Sequence, residues 1–242
     1  MSHRAANDDD GAVEVRHAAS IRTTSLLHPQ PAELFSNGSR SCAIEETPAV
    51  VAIGVSTGGP SALENILPRF PRNLPVPILI VQHMPSGFTG PLAARLNTLC
   101  SISVREATQS QRIQPGVAYI APAGAHMRVV RSLADEKPRI VLDSRRGNAL
   151  HIPSIDELMK SVAGVYGNRA VGVIMTGMGS DGAAGIAAIY HQGGLTIGQN
   201  EATCTVYGMP RACAELGILT RIASLPYIPT VIIGALRNSR CK

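Results

Sequence analysis

From residue 50 onward, short apolar runs alternate with helix-length segments, and this order leaves few folds open. An apolar run at 50–55 precedes a helix expected from about Pro60, and another at 77–81 precedes a helix expected over 89–99. The order resumes with a helix over 154–165, a strand at 170–175, a helix over 182–190, a strand at 195–198 and a closing helix near 227–236. Parallel neighbours need long crossovers, and helices that fill those crossovers cover both faces of the sheet. The predicted fold class is therefore α/β: a doubly wound, mostly parallel sheet with helices on both faces. Between the two halves, runs at 103–106, 116–122, 127–131 and 139–142 are separated by Pro and Gly turns. They read as short, partly antiparallel strands. No segment repeats at a fixed period.

Residues 1–47 mix Asp, Ser, Asn, Arg and Pro without sustained periodicity and read as a flexible polar leader, with a short helix near 31–35. The folded domain is expected over 48–242. Residues 1–48 hold four Lys/Arg against seven Asp/Glu, net −3, whereas 49–242 hold eighteen against ten, net +8. The folded part is the basic part. Its arginines are spread singly and aromatic residues make up only 3% of the chain, so there is no stacking platform or basic stripe for nucleic acid. An acidic protein partner suits that charge better. The five cysteines (Cys42, Cys100, Cys204, Cys213, Cys241) are scattered and form no CxxC pair, which argues against a disulfide framework or a zinc site. No apolar run approaches membrane-spanning length and the start lacks a signal-peptide core, so a cytoplasmic protein without membrane insertion is expected.

In open α/β sheets the ligand crevice lies at the carboxyl ends of the strands. Three loops leave predicted strand ends there with unusual chemistry: Ser56-Thr57-Gly58-Gly59, Gln82-His83-Met84-Pro85, and the run from Met175 through Thr176, Gly177, Met178, Gly179, Ser180 and Asp181 to Gly182. They supply one Ser, one His and one Asp. Ser56 between Gly54 and Gly58 fits the Gly-x-Ser-x-Gly turn that presents a nucleophile between a strand and a helix. A serine hydroxyl needs an imidazole to take its proton and a carboxylate to orient that imidazole. Ser56, His83 and Asp181 fit these catalytic roles. Backbone amides in the same glycine-rich turns, with Met178 and Thr57 nearest, are candidates for oxyanion stabilisation.

Each residue also has a plainer reading. Ser56 can cap the helix that starts near Pro60, His83 can be a structural histidine, and Asp181 can cap the helix that follows it. His126 and His151 lie in or near the irregular middle and have surface or substrate-contact roles open to them. Two rival motifs overlap the loops. The glycine spacing at 54–59 resembles a phosphate-binding loop, but Pro60 stands where the phosphate-binding Lys is required. Gly177, Gly179 and Gly182 satisfy the dinucleotide spacing, with Glu201 beyond the next strand, yet Asp181 would set a carboxylate inside a turn meant for pyrophosphate.

From about residue 48 to the end, the blocks GVSTGGP, QHMPSGFTGPLAARLN, AYIAPAGAHM, HIPSIDELM, AVGVIMTGMGSDGAAG and QNEATCTVYGMPRAC occur in this order. Together they resemble the catalytic domain of the chemotaxis protein-glutamate methylesterases. The resemblance implies a triad of Ser56, His83 and Asp181, an oxyanion donor in the Met178 amide, and Thr57 lining the site. It implies hydrolysis of glutamate γ-methyl esters on the cytoplasmic helices of methylated chemoreceptors, releasing methanol, often with deamidation of receptor glutamines. No cofactor or metal is implied. A related hydrolase or amidase acting on another acidic protein, or a non-catalytic receptor-binding module, are the alternatives. Two departures from the family pattern stand out. The residues before the domain are too few and too polar for the phosphorylatable receiver domain that family members typically carry, so a different regulation is expected. Ile152 also occupies a position where related sequences commonly have Arg, which is expected to weaken recognition of an acidic substrate.

Overall fold

The computed structural model describes residues 49–147 and 149–238. The expected leader, 1–47, and its short helix near 31–35 lie outside the described residues. Among those described, nine strands and six α-helices follow in chain order: β1 (Val50–Val55), α1 (Gly59–Ile66), β2 (Ile78–Gln82), α2 (Thr89–Leu99), β3 (Ser103–Glu106), β4 (Val117–Ile120), β5 (His126–Arg131), β6 (Pro138–Asp143), α3 (Ile155–Tyr166), β7 (Ala170–Ile174), α4 (Ala183–His191), β8 (Leu195–Gln199), α5 (Met209–Glu215), β9 (Arg221–Ala223) and α6 (Ile228–Asn238). No helix among the described residues is long and apolar enough to cross a membrane.

Seven strands form one parallel sheet in the order β3-β4-β2-β1-β7-β8-β9. The central strands read VVAIGV, ILIVQ and AVGVI, and every residue in them is buried. Continuous apolar runs are what a parallel strand covered on both faces requires. Alternate residues then feed two cores. Val51, Ile53 and Val55 face one, with Leu63 and Ile66 of α1, Leu96 of α2 and Ile232 of α6. Val50 and Ala52 face the other, with Leu158 and Met159 of α3, Ile186 and Ile189 of α4, and Met209 and Cys213 of α5. β5 and β6 pair antiparallel as a separate hairpin, whose Met127, Val129 and Ile140 join this second core.

The antiparallel character of the middle region lies in that hairpin and in an isolated bridge from Arg112 to Arg139 of β6; β3 and β4 are parallel members of the main sheet. Sequence patterning misses α5 and β9. α5 is seven residues with a proline in its first turn, and β9 is three residues, both too short to carry a period. β1 has β2 on one side and β7 on the other, and the strand order runs outward in opposite directions from β1 and β7. That reversal marks the place where an open α/β sheet forms its crevice. The loops bearing Ser56, His83 and Asp181 leave the carboxyl ends of β1, β2 and β7.

Gly54 in β1 has a role that a turn motif does not announce. A Cβ there would run into the Ile155 side chain at the start of α3, and a Cβ on Gly182 would lie 2.8 Å from the same side chain. Two absent side chains thus let the α3 N-terminus sit against the sheet. Gly54→Ala is expected to cost roughly 1–3 kcal/mol through overpacking, read as a lower urea midpoint with an unchanged m-value.

Candidate active site

The three loops are bound to one another by backbone. The Ser56 amide donates to the Thr176 carbonyl at 3.0 Å, and the His83 amide donates to the Val55 carbonyl at 3.1 Å. Gln82, 2% exposed at the end of β2, donates its Nε2 to the carbonyls of both Ser56 and His83, each at 2.9 Å. A buried amide that bridges two loops fixes the serine turn relative to the histidine. The turn reverses at Gly58, which takes a left-handed φ of 79° and is the N-cap residue of α1. Ser56 makes no cap bond to α1, so its hydroxyl is not committed to the helix. It takes part in no hydrogen bond among the described residues.

His83 Nε2 lies 2.8 Å from Asp181 Oδ2, and the two side chains are only 9% and 12% exposed. The other ring nitrogen, Nδ1, is buried and has no partner. Asp181 does not cap the helix that follows it. Its carboxylate instead accepts from the N-terminus of α3: the Ile155 amide at 2.8 Å, the Asp156 amide at 3.1 Å and the Ser154 hydroxyl at 2.9 Å. Asp156 returns the exchange by accepting from the amides of Gly182, 3.0 Å, and Gly185, 2.7 Å, at the start of α4. Each helix N-terminus therefore receives a carboxylate from the neighbouring segment, where the free amides and the helix dipole favour negative charge. This also disposes of the dinucleotide reading, because the amides that would take a pyrophosphate already hold Asp156.

Burial alone would push the Asp181 pKa up, but the hydrogen bonds from His83, Ile155 and Asp156 outweigh it and hold the group at about 2. For Asp156, burial prevails over the Gly185 amide, and with the adjacent Asp181 charge its pKa is raised. His151 stacks on His83 with ring centroids 4.2 Å apart and planes 22° from parallel. Burial, then the neighbouring His83 and Arg146, lower its pKa against the pull of Asp181. Ile152, beside it in sequence, is half-buried, and its carbonyl accepts from the Gly124 amide at 3.4 Å. His126 is buried, with Nδ1 accepting from the Ser154 amide at 3.1 Å, which makes it a support for the α3 terminus.

The third loop touches the serine directly: a Cβ on Gly177 would stand 2.7 Å from Ser56 Cβ. Thr176 pins this loop, its amide donating to Gln199 Oε1 at 2.9 Å and its hydroxyl donating to the Thr57 carbonyl at 2.9 Å. The Gly177 carbonyl accepts from the amides of Gly208 and Met209. Met178 follows, its side chain 74% exposed, and neither its amide nor that of Thr57 donates to another described residue. Gln82, Ser154, Asp156, Thr176 and Gln199 escape residue-by-residue reading, since their parts appear only when distant segments meet. Ser154-x-x-Glu157 at the α3 start is a capping-box pattern that signals Ser154 alone among these partners. Among the described thiols, burial pushes Cys100 and Cys204 up to about 11 and Cys213 to about 12, which disfavours the reactive thiolate. Among the described residues, no group of three or more His, Cys, Asp or Glu is arranged to hold a metal ion.

The sequence model of the CheB methylesterase family matches residues 51–232, a span that takes in all three loops. The chain belongs to the CheB methylesterase family. A protein-glutamate methylesterase/protein-glutamine glutaminase 2 of Nitratidesulfovibrio vulgaris is 46% identical over 187 residues, 77% of this chain and 50% of the relative. A protein-glutamate methylesterase/protein-glutamine glutaminase of Archaeoglobus fulgidus is 49% identical over 172 residues, 71% of this chain and 49% of the relative. The chain thus spans about half the length of these curated relatives. The crystal structure of the Thermotoga maritima CheB methylesterase catalytic domain superposes with a TM-score of 0.75 at 36% identity, covering 78% of this chain and 98% of that one.

Because Asp181 has a depressed pKa, its contribution to stability is present above its unfolded value near 4 and is lost as the pH falls through about 2. The stability difference between wild type and Asp181→Asn should therefore shrink by roughly 2 kcal/mol from pH 4 to pH 2, measured by urea unfolding at each pH.

Proposed function

We propose that this domain is a serine esterase that hydrolyses glutamate γ-methyl esters on methylated chemoreceptors in the cytoplasm, releasing methanol, and that it also deamidates receptor glutamines. The observation that carries the reading is the buried His83–Asp181 pair, set one strand away from an uncommitted serine hydroxyl. Family membership and the names of the relatives give it its substrate class.

In this reading Ser56 Oγ attacks the ester carbonyl while its proton passes to His83 Nδ1, the ring nitrogen left without a partner. Asp181, bonded to Nε2, keeps the hydrogen on that nitrogen and stabilises the imidazolium. The negative charge on the tetrahedral oxygen is taken by the free amides of Met178 and Thr57, a term worth about 10²- to 10³-fold per donor. His83 returns the proton to the departing methoxide, leaving a glutamyl ester on Ser56. A water activated by the same imidazole then releases the glutamate carboxylate and restores the serine. With a glutamine substrate the leaving group is ammonia and the remaining steps are unchanged. No metal or cofactor takes part.

The test is methanol release from methylated receptor. Ser56→Ala should lower kcat by about 10⁴- to 10⁶-fold and Asp181→Asn by about 10⁴-fold, with receptor binding retained. Undiminished turnover in Ser56→Ala would end the assignment.

A further inference from the structure

Beside the His83–Asp181 pair opens a cavity of about 480 Å³ between the β5–β6 hairpin, the start of α3 and the loop bearing Asp181. Its wall includes His151 and Asp181, so it adjoins the reacting groups directly. Most charges around it are already committed. Arg128 pairs with Glu157 and Asp143, and Arg145 pairs with Asp143. Asp156 is held by the amides of α4 and Asp181 by those of α3. Two cations in the wall form no salt bridge among the described residues. Among the described residues the Arg146 guanidinium donates to the carbonyls of Ala149 and Leu150 in its own loop, and the Lys160 ammonium forms no ion pair, its charge reaching the Asp156 carboxylate only through space. Leu150, exposed, stands in the same wall.

We propose that this cavity is a subsite for an acidic side chain of the substrate polypeptide, in which Arg146 and Lys160 bind the carboxylate and Leu150 packs against its methylene stem. The proposal rests on the esterase reading for the identity of the polypeptide. An ester carries no charge, so the scissile group offers the enzyme nothing for long-range attraction. A carboxylate nearby on the same chain does. On a helix, residues one turn apart project from one face with Cβ atoms about 6 Å apart, so an ester and an acid can lie side by side on one substrate helix. Specificity for esters flanked by acids then comes from two solvent-facing cations and is sensitive to salt.

The experiment uses two labelled helical peptides, each with a glutamate γ-methyl ester, one bearing Glu and the other Gln one turn away. Binding to Ser56→Ala protein, which should not turn them over, is followed by fluorescence anisotropy. The Glu peptide should bind roughly 5- to 10-fold more tightly at low salt, the sum expected of two exposed ion pairs. That preference should fade at about 0.5 M NaCl, invert when Arg146→Glu and Lys160→Glu are combined, and survive in Arg146→Lys. Equal binding of the two peptides, or a preference that persists in the double charge reversal, overturns the subsite. Methanol release by the wild-type protein is measured in parallel. No release from either peptide, with charge-dependent binding intact, removes the esterase reading and upholds the subsite. Release that ignores the flanking charge, with equal binding, does the opposite.

Discussion

A buried carboxylate is costly unless donors surround it, and the arrangement around Asp181 is built on meeting that cost. The N-terminus of α3 supplies two amides and the Ser154 hydroxyl, and the remaining contact is the imidazole of His83. The reciprocal use of Asp156 at the start of α4 locks the two helices into one register. Displacing α3 would strip Asp181 of its donors, leave His83 without an orienting acid and open the wall of the adjoining cavity. The small size of Gly54 and Gly182 matters for the same reason, since α3 reaches the carboxylate only because nothing projects from those positions.

Electrostatics divides the histidines by role. His83 has one nitrogen satisfied by a carboxylate and the other buried and unpartnered, which suits the general base of the proposed reaction. His151 covers the ring face, and burial together with the neighbouring His83 lowers its pKa, which favours its neutral form. Two stacked imidazolium ions would repel, so in the proposed reaction a neutral His151 would ease the charge that His83 takes up. His126, buried and bonded to the α3 start, is scaffold.

The parts of the fold that were legible in the chain are those with long periods or full burial. β1, β2 and β7 announced themselves as unbroken apolar runs, and α2, predicted over 89–99, has those bounds. α5 and β9 did not, because short elements at the edge of a domain owe their form to neighbours more than to their own pattern. In the site, Ser56, His83 and Asp181 were legible as reactive types at strand ends, and the structure places them on loops that touch. The plain readings of Ser56 and Asp181 as caps for the helices after them were also reasonable from local sequence. They fail because Gly58 occupies the first cap position and because Asp181 turns toward a different helix.

By itself, the sequence determined the class of fold, the sheet's buried centre and the residue types at the crevice, since all of these follow from local pattern and the strand-end rule for open sheets. Only the tertiary structure decided which imidazole nitrogen meets the acid, which helix feeds that acid its donors, and which cations line the cavity beside it. Those outcomes depend on atoms far apart in the chain; His83 and Asp181 are separated by 98 residues. No local pattern encodes a hydrogen bond of that span, because its geometry is set by how β1, β2, β7 and α3 pack together.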